Sequence, residues 1–375
     1  MGIDLTKPTS LYNQIADDIS SRISKDEIKE GDLIGSHQQL AKEYGVSLIT
    51  VRKALSALIN KGVLYSRVGK GTFVAKKSEQ VNFKNEVTIG FVLRDLDSPF
   101  FSRILSSVAA EASKNNFNLL LADSDNQKDR EESQIRHFLD IGVNGLIIAS
   151  MSHQYKATQQ IRKMQEDGFP YVMVSFVVDD DISFVGTDHE EGGFIATDHL
   201  IKLGYKRIGY INGEEGNLVG EARKKGFLKA IQQAGLQFNT NDEFRLRLRG
   251  ESFDYDSGYE IGEQFARKND RPEALFIYND LSTLGFQKAV FDNQLSVPED
   301  IGIVGFDDIK RGVTASVPLT TVHQPTDEIG ALSVEILLRR IQGESITPRH
   351  ILKPSLVVRS SCGAKLRTSK EASGI

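Results

Sequence analysis

Two rhythms of apolar and polar positions divide the chain. From Leu11 to Ile59 apolar residues recur at helical spacing, and Tyr65 to Ala75 has the look of a short hairpin. A mostly polar stretch, 77–86, follows and reads as a linker. From Val87 onward, short apolar runs alternate with amphipathic stretches of helical period. The runs are Val87–Leu93, Asn118–Ala122, Asn144–Ala149, Tyr171–Phe176, Arg207–Ile211, Ala274–Tyr278 and Gly302–Phe306. Strand-length runs alternating with helices predict βαβ units and parallel sheets, an α/β body behind a small helical head. Ile89-Gly90-Phe91, Ile208-Gly209-Tyr210 and Ile301-Gly302-Ile303 are a weak self-similarity that hints at two related lobes.

The head carries the first chemistry. Ser36 and Gln39 have capping-box spacing and open a helix that stops at Gly45. Ser47 caps the next helix, whose Val51, Leu55, Leu58 and Ile59 share one face and which stops at Gly62. Helix, three-residue turn, helix is the layout in which the start of the second helix meets base edges in the major groove. Ser47, Thr50, Arg52 and Lys53 lie off the apolar face there. Arg52 can pair bidentately with guanine, while Lys53 or Ser47 can hold phosphate. A plain pair of packed helices would show the same spacing. The hairpin behind it, with a Gly69-Lys70-Gly71 tip, shifts the balance toward a wing that lays Lys70 in the minor groove or on a phosphate. A nucleotide-binding phosphate loop is rejected, since the upstream glycine and the following helix are missing.

In the body, residues just past the strand-like runs are the ones an open α/β sheet aims at a ligand. They include Asp95, Phe100 and Phe101 after the first run, Phe176, Arg223 after the fifth, Asn279 and Asp280, and Asp307. Carboxylates, an amide, a guanidinium fork and aromatic faces suit a polyhydroxylated ligand. Asp123 and Asp188 can equally be helix caps. The histidines show no metal-ligand spacing, and no catalytic set is recognisable, so neither metal, cofactor nor enzyme chemistry is expected.

Charge supports this division. The net charge of −5 hides a head of residues 1–77 with twelve basic and eight acidic side chains, so that only the head suits a polyanion. No apolar run approaches the roughly 18 residues of a membrane helix, and the first ten residues carry no apolar core of the secretory kind. The single cysteine, Cys362, can form no internal disulfide, which suits a reducing compartment. A cytoplasmic protein without membrane contact is expected.

Leu11-Tyr12-Asn13-Gln14-Ile15, Gly31-Asp32, Leu40-Ala41, Gly45-Val46-Ser47, Thr50-Val51-Arg52-Lys53-Ala54-Leu55 and Gly69-Lys70-Gly71-Thr72-Phe73-Val74 resemble a GntR-family winged helix-turn-helix domain. The resemblance implies a DNA surface that also takes in Ser36, Gln38 and Thr72. The chain departs from that family at Gly35, Gln38 and Leu48, where Pro, Arg and Arg are common. The segments Asp95 with Ser98-Pro99-Phe100-Phe101, Asp188 with Gly192-Gly193, Arg223 with Gly226-Phe227, Asn279-Asp280, Gly305-Phe306-Asp307-Asp308 and Leu319 to Pro325 resemble the sensor of the LacI/purine-repressor family. That sensor has periplasmic-binding-protein architecture, two lobes joined by crossovers near 186–188, 320–324 and 354–360. The resemblance implies effector contacts at Arg223 and Asp307, and at Asn279, Phe253 and Gln324. The LacI-type headpiece and hinge helix are absent, and the combination resembles the arabinose-repressor family.

The resemblances together imply a DNA-binding domain at 1–76, a sensor at 87–362 and a disordered tail at 363–375. They imply a repressor of carbohydrate-utilisation genes, controlled by a small sugar such as L-arabinose or another pentose. Operator DNA and that carbohydrate are the expected partners. A homodimer is expected, because such operators are two-fold related, with the stretch Phe101 to Ala112 as its candidate interface. Two other classes compete: a transport-type solute-binding protein, disfavoured by the winged helix, and a sugar-modifying enzyme, disfavoured by the missing catalytic set.

Overall fold

The computed structural model describes residues 11–364, apart from residue 26 and segments 61–62, 68–70, 76–86, 150–155 and 248–252. Its contacts divide the chain into two compact units, Met1–Asn85 and Glu86–Ile375. The expected linker and the hairpin tip with Lys70 lie outside the described residues.

The first unit packs α1 (Leu11–Ser24), α2 (His37–Tyr44) and α3 (Leu48–Asn60) around Ile15, Ile19, Leu40, Val51, Leu55 and Leu58. Ser36 and Gln39 form the capping box: Gln39 N donates to the Ser36 hydroxyl at 3.2 Å and Ser36 N to Gln39 Oε1 at 2.8 Å. Gly45, at φ +64°, supplies the left-handed turn that ends α2. The antiparallel hairpin of β1 (Leu64–Arg67) and β2 (Gly71–Val74) closes this core with Leu64 and Val74.

The second unit is built along the chain in four passes joined by three crossings. The first fills one lobe with β3 (Thr88–Leu93), α4 (Pro99–Lys114), β4 (Asn118–Asp123), α5 (Lys128–Ile141), β5 (Gly145–Ile148), α6 (Gln159–Glu166), β6 (Tyr171–Ser175) and β7 (Phe184–Thr187). The chain then crosses at Asp188 into a second lobe of α7 (His189–Lys202), β8 (Ile208–Asn212), α8 (Leu218–Gln233), β9 (Glu243–Arg245), α9 (Phe253–Ala266), β10 (Ala274–Ile277), α10 (Asp280–Asp292), β11 (Gly302–Asp307), α11 (Lys310–Val313) and β12 (Thr320–His323). It returns after Gln324 with α12 (Thr326–Ile341) and β13 (Arg349–Leu352) to the first lobe. A last crossing at Lys353 and Pro354 leads to β14 (Ser355–Val357) on the second.

The sheet orders are β4-β3-β5-β6-β7-β13 and β9-β8-β10-β11-β12-β14. Every pairing in the two is parallel except β12 with β14. Side-chain alternation feeds a core on each face. Ile89, Phe91 and Leu93 point to one side of the first sheet, while Val92 joins Ile135 and Phe138 on the other.

Two expectations change here. Phe101, Ile104, Val108 and Ala112 of α4 are buried in the first lobe's core, so the stretch proposed as an interface spends its apolar face inward. Gly363 and Ala364, expected to begin a disordered tail, pack on the second lobe: Gly363 is buried and Ala364 lies against the Tyr205 and Cys362 cluster. The remainder of the tail lies outside the described residues.

Candidate functional site

Most of the described DNA-reading candidates stand on the surface of the first unit, at the starts of α2 and α3. Ser47 is exposed, and its hydroxyl accepts from Thr50 N at 3.2 Å and bonds the Thr50 hydroxyl at 2.9 Å, which fixes the start of α3. Arg52 and Lys53 project into solvent from the next turn. Ser36 and Gln38 are exposed at the start of α2. Thr72 is different: at 6% exposure its side chain is turned into the unit beside the core, so it packs rather than presenting a hydroxyl to DNA. Sequence spacing gave no sign that Leu48 and Ile49 would remain in solvent.

The second cluster lies where the two lobes face each other. Close helix approach sets it up. A Cβ on Gly193 of α7 would stand 2.0 Å from the Arg223 carbonyl oxygen, and one on Gly285 of α10 1.9 Å from that of Tyr255. Only glycine allows α8 and α9 to come so near, and those helices carry Arg223 and Asp254. Arg223 is 4% exposed and lies over the Phe306 ring, 3.6 Å from its centroid, and 4.9 Å from that of Tyr278. One Nη donates to the Tyr278 carbonyl, and the other sits 3.8 Å from Asp307 Oδ1. Gln324 Nε2 donates to the same oxygen at 2.7 Å. Asn279 caps α10 by accepting from Ser282 N at 2.9 Å and turns its Nδ2 to Asp254 Oδ2 at 2.5 Å.

An aromatic column closes the floor. The His189 ring lies 5.6 Å from Phe176 of the first lobe and 5.8 Å from Phe306 of the second, a ring that also carries Arg223. Burial, with the Arg223 charge adding to it, holds the His189 imidazole well below its usual pKa, so it is neutral at physiological pH. Among the described residues, neither His189 nitrogen nor Arg223 Nε has a protein hydrogen-bond partner. Burial pushes the Asp307 carboxyl up to about 6; Arg223 and Gln324 oppose the rise and Asp254 adds to it. Burial likewise raises Asp254, against Asn279 and the charges of Arg94 and Arg223 and with that of Asp95. Arg94 and Asp95 belong to the first lobe, so this carboxylate feels both sides of the cleft.

The remaining candidates are spread more widely. Asp95 is half-buried and accepts from Asp97 N at 2.9 Å. Phe100 is half-buried and meets Phe101 edge-on at 5.0 Å, with Phe101 in the core behind it. Asp280 is wholly buried, its oxygens taken by the Thr321 hydroxyl at 2.7 Å and Ile309 N at 2.9 Å; it ties β12 to the start of α11 and does not face the cleft. Asp188 caps α7 through Glu191 N at 2.9 Å. Phe253 begins α9, and its side chain lies outside the described residues. Asp254, Tyr278, Phe306 and His189 were not singled out from the sequence. Each is adjacent to a residue that was, or ends a strand-like run, which is the signal that could have found them.

Among the described residues no group of three or more His, Cys, Asp or Glu could hold a metal ion, and no helix is long and apolar enough to cross a membrane. The cluster can pair hydroxyl groups with carboxylates, an amide and a guanidinium, and present aromatic faces to a ring.

Comparison with known proteins agrees with both halves. Residues 11–74 match the family of bacterial regulatory proteins called gntR, and residues 197–362 match a periplasmic binding protein-like domain. The chain is 33% identical over 360 residues to an arabinose metabolism transcriptional repressor of Geobacillus stearothermophilus, covering 93% of this chain and 97% of that one. Among solved structures it is similar to the transcription regulator CcpA of Lactococcus lactis, with a TM-score of 0.65 and 25% identity, covering 74% of this chain and 99% of that one. It is also similar to a LacI family transcriptional regulator from Enterococcus faecium with bound ribose, with a TM-score of 0.63 and 27% identity, covering 73% and 98% of the two chains.

Proposed function

This chain belongs to the family of DNA-binding transcriptional repressors that join a GntR-type head to a LacI-like sensor, and from that premise we propose that its signal is a neutral sugar, an aldopentose such as L-arabinose, held between the lobes. The carrying observation is the cluster of Arg223, Asp307, Asp254 and Asn279. Two carboxylates face one guanidinium, and that guanidinium is already engaged by Tyr278 and Asp307. A sugar phosphate would bring a further anion against Asp254 and Asp307, a like-charge contact in a poorly solvated place. Hydroxyl groups meet no such penalty and satisfy the same acceptors.

In this reading the DNA-binding domain is 1–76 and the sensor 87–362, and the protein works in the cytoplasm, binding operator DNA and the sugar without catalysing a reaction. The sugar closes the lobes about the crossings at 188, 324–325 and 353–354. The operator is held by a homodimer. The outward face of α4 offers Ser106, Ala109, Ala110 and Ser113, and the neighbouring β4 is the edge of its sheet with Leu121 43% exposed. Small side chains beside an apolar edge strand suit a second copy of the same surface.

The test is calorimetry with L-arabinose, D-ribose, D-xylose and their 5-phosphates, followed by titration of each binder into a complex with DNA from its own promoter region. A neutral pentose that binds and releases the DNA is the expected result. Binding restricted to the phosphates, or release by none of these compounds, would remove the proposal.

A further inference from the structure

The recognition helix begins with two apolar side chains in solvent. Leu48 is 48% exposed and Ile49 70%. At about 100° per residue, Ile49 stands on the outward face of α3, with Arg52 and Lys53 one turn on and Ser56 beyond. Val51, Ala54, Leu55 and Leu58 take the opposite face into the core. A single exposed Leu or Ile needs no explanation. Ile49, centred on a cationic face at the helix end that enters the major groove, with Leu48 exposed at its flank, is not accounted for by the packing of the unit. Apolar side chains there gain only from an apolar partner, and the groove displays one, the 5-methyl group of thymine.

We propose that Ile49, with Leu48 beside it, reads thymine methyl groups in each half-site, next to the base pair that Arg52 contacts. The proposal rests on α3 being the recognition helix. It assigns operator choice to side chains that can form no hydrogen bond to a base.

The experiment uses the full-length protein and a consensus selected from random duplexes. Each thymine of the consensus is replaced singly by deoxyuridine, which removes the methyl group alone. One or two thymines per half-site are expected at which the exchange weakens binding by about three- to tenfold. In Ile49→Ala the same exchanges should matter by less than about twofold, since the side chain that met the methyl is gone. The exposed position leaves thermal unfolding of that variant unchanged. Absence of any uracil-sensitive thymine, or equal sensitivity in Ile49→Ala, overturns the proposal. Arg52→Ala tests the premise separately: wild-type affinity in that variant would take α3 out of the groove. A change in molecular mass on Ile49→Ala would mark the face as a protein contact and likewise refute the reading.

Discussion

Asp307→Asn separates binding from folding at the proposed sugar site. The substitution keeps the side chain's shape, and Asn tolerates the φ of +116° at this position better than Ala would. What it removes is charge. A carboxyl held at about 6 instead of its ordinary 3.8 costs the folded protein about 3 kcal/mol once ionised in both states. The sign follows from where the protons sit. Below about pH 4 the group is protonated whether folded or unfolded, and no cost arises. Between about 4 and 6 the folded form alone holds the proton, so wild-type stability falls as the pH rises. Without ligand, Asp307→Asn should therefore be more stable than wild type by about 2–3 kcal/mol at pH 7.5, with the gap closing toward pH 4. Sugar binding should move the opposite way. Exchanging a buried charged acceptor for a neutral amide costs about 1.5–3 kcal/mol, or about ten- to a hundredfold in affinity. Urea unfolding from pH 4 to 7.5 measures the first effect, calorimetry with the inducing pentose the second, and operator titration without sugar should stay within about twofold of wild type. Unchanged sugar affinity would show that Asp307 does not face the ligand. A stability gap independent of pH would show that its carboxylate carries no burial cost.

Three further substitutions test other parts of the reading. Arg52→Ala should lose about 1–3 kcal/mol of operator affinity and most of the preference for operator over random DNA, with sugar binding intact; gel shifts against both DNAs measure it. Leu121→Lys, placed on the exposed edge strand, should halve the mass seen by light scattering from about twice 41.6 kDa without lowering the melting temperature of the monomer. Gly193→Ala should push α7 off the Arg223 backbone, costing about 1–3 kcal/mol of stability and weakening sugar binding at a distance from the sugar itself; thermal melts and calorimetry read both effects.

Much of this was legible in the chain because local rules and tertiary structure agree. The Ser36–Gln39 box and Gly45 set the ends of α2 without help from distant residues. The seven apolar runs all become strands; those inside the sheets are buried on both faces, while β4 at the edge keeps Leu121 exposed. The short strands were harder. Glu243–Arg245 is charged and gains its place only by pairing with β8, and Arg349–Leu352 is recruited from a different part of the chain to pair with β7. Neither has a periodicity of its own. At the cleft, the strand-end rule found Arg223, Asn279 and Asp307. It also returned Asp280 and Phe101, since a residue past a strand can equally fasten a loop or fill a core. Burial and partners separate these outcomes, and a sequence displays neither.

The proposed switch draws its force from a feature that spacing cannot reveal. Asp307 and Asp308 are successive residues at φ +116° and +58°, both left-handed, at the end of β11. The first turns its carboxylate to the cleft. The second is clamped by Arg359 at 2.6 Å and His323 at 3.0 Å; burial pushes its carboxyl up, but these two partners outweigh burial and hold it below the usual range. Its carbonyl oxygen accepts from Arg103 of the first lobe at 2.9 Å. The peptide units that aim the cleft-facing carboxylate are thus the ones that meet the opposite lobe. Two strained residues in succession cannot relax one at a time, because a change in either dihedral pair swings the next peptide. A sugar that draws on Asp307 consequently acts on the Arg103 contact as well. Its affinity then differs between lobe settings, and that difference is the only free energy from which a ligand can shift them.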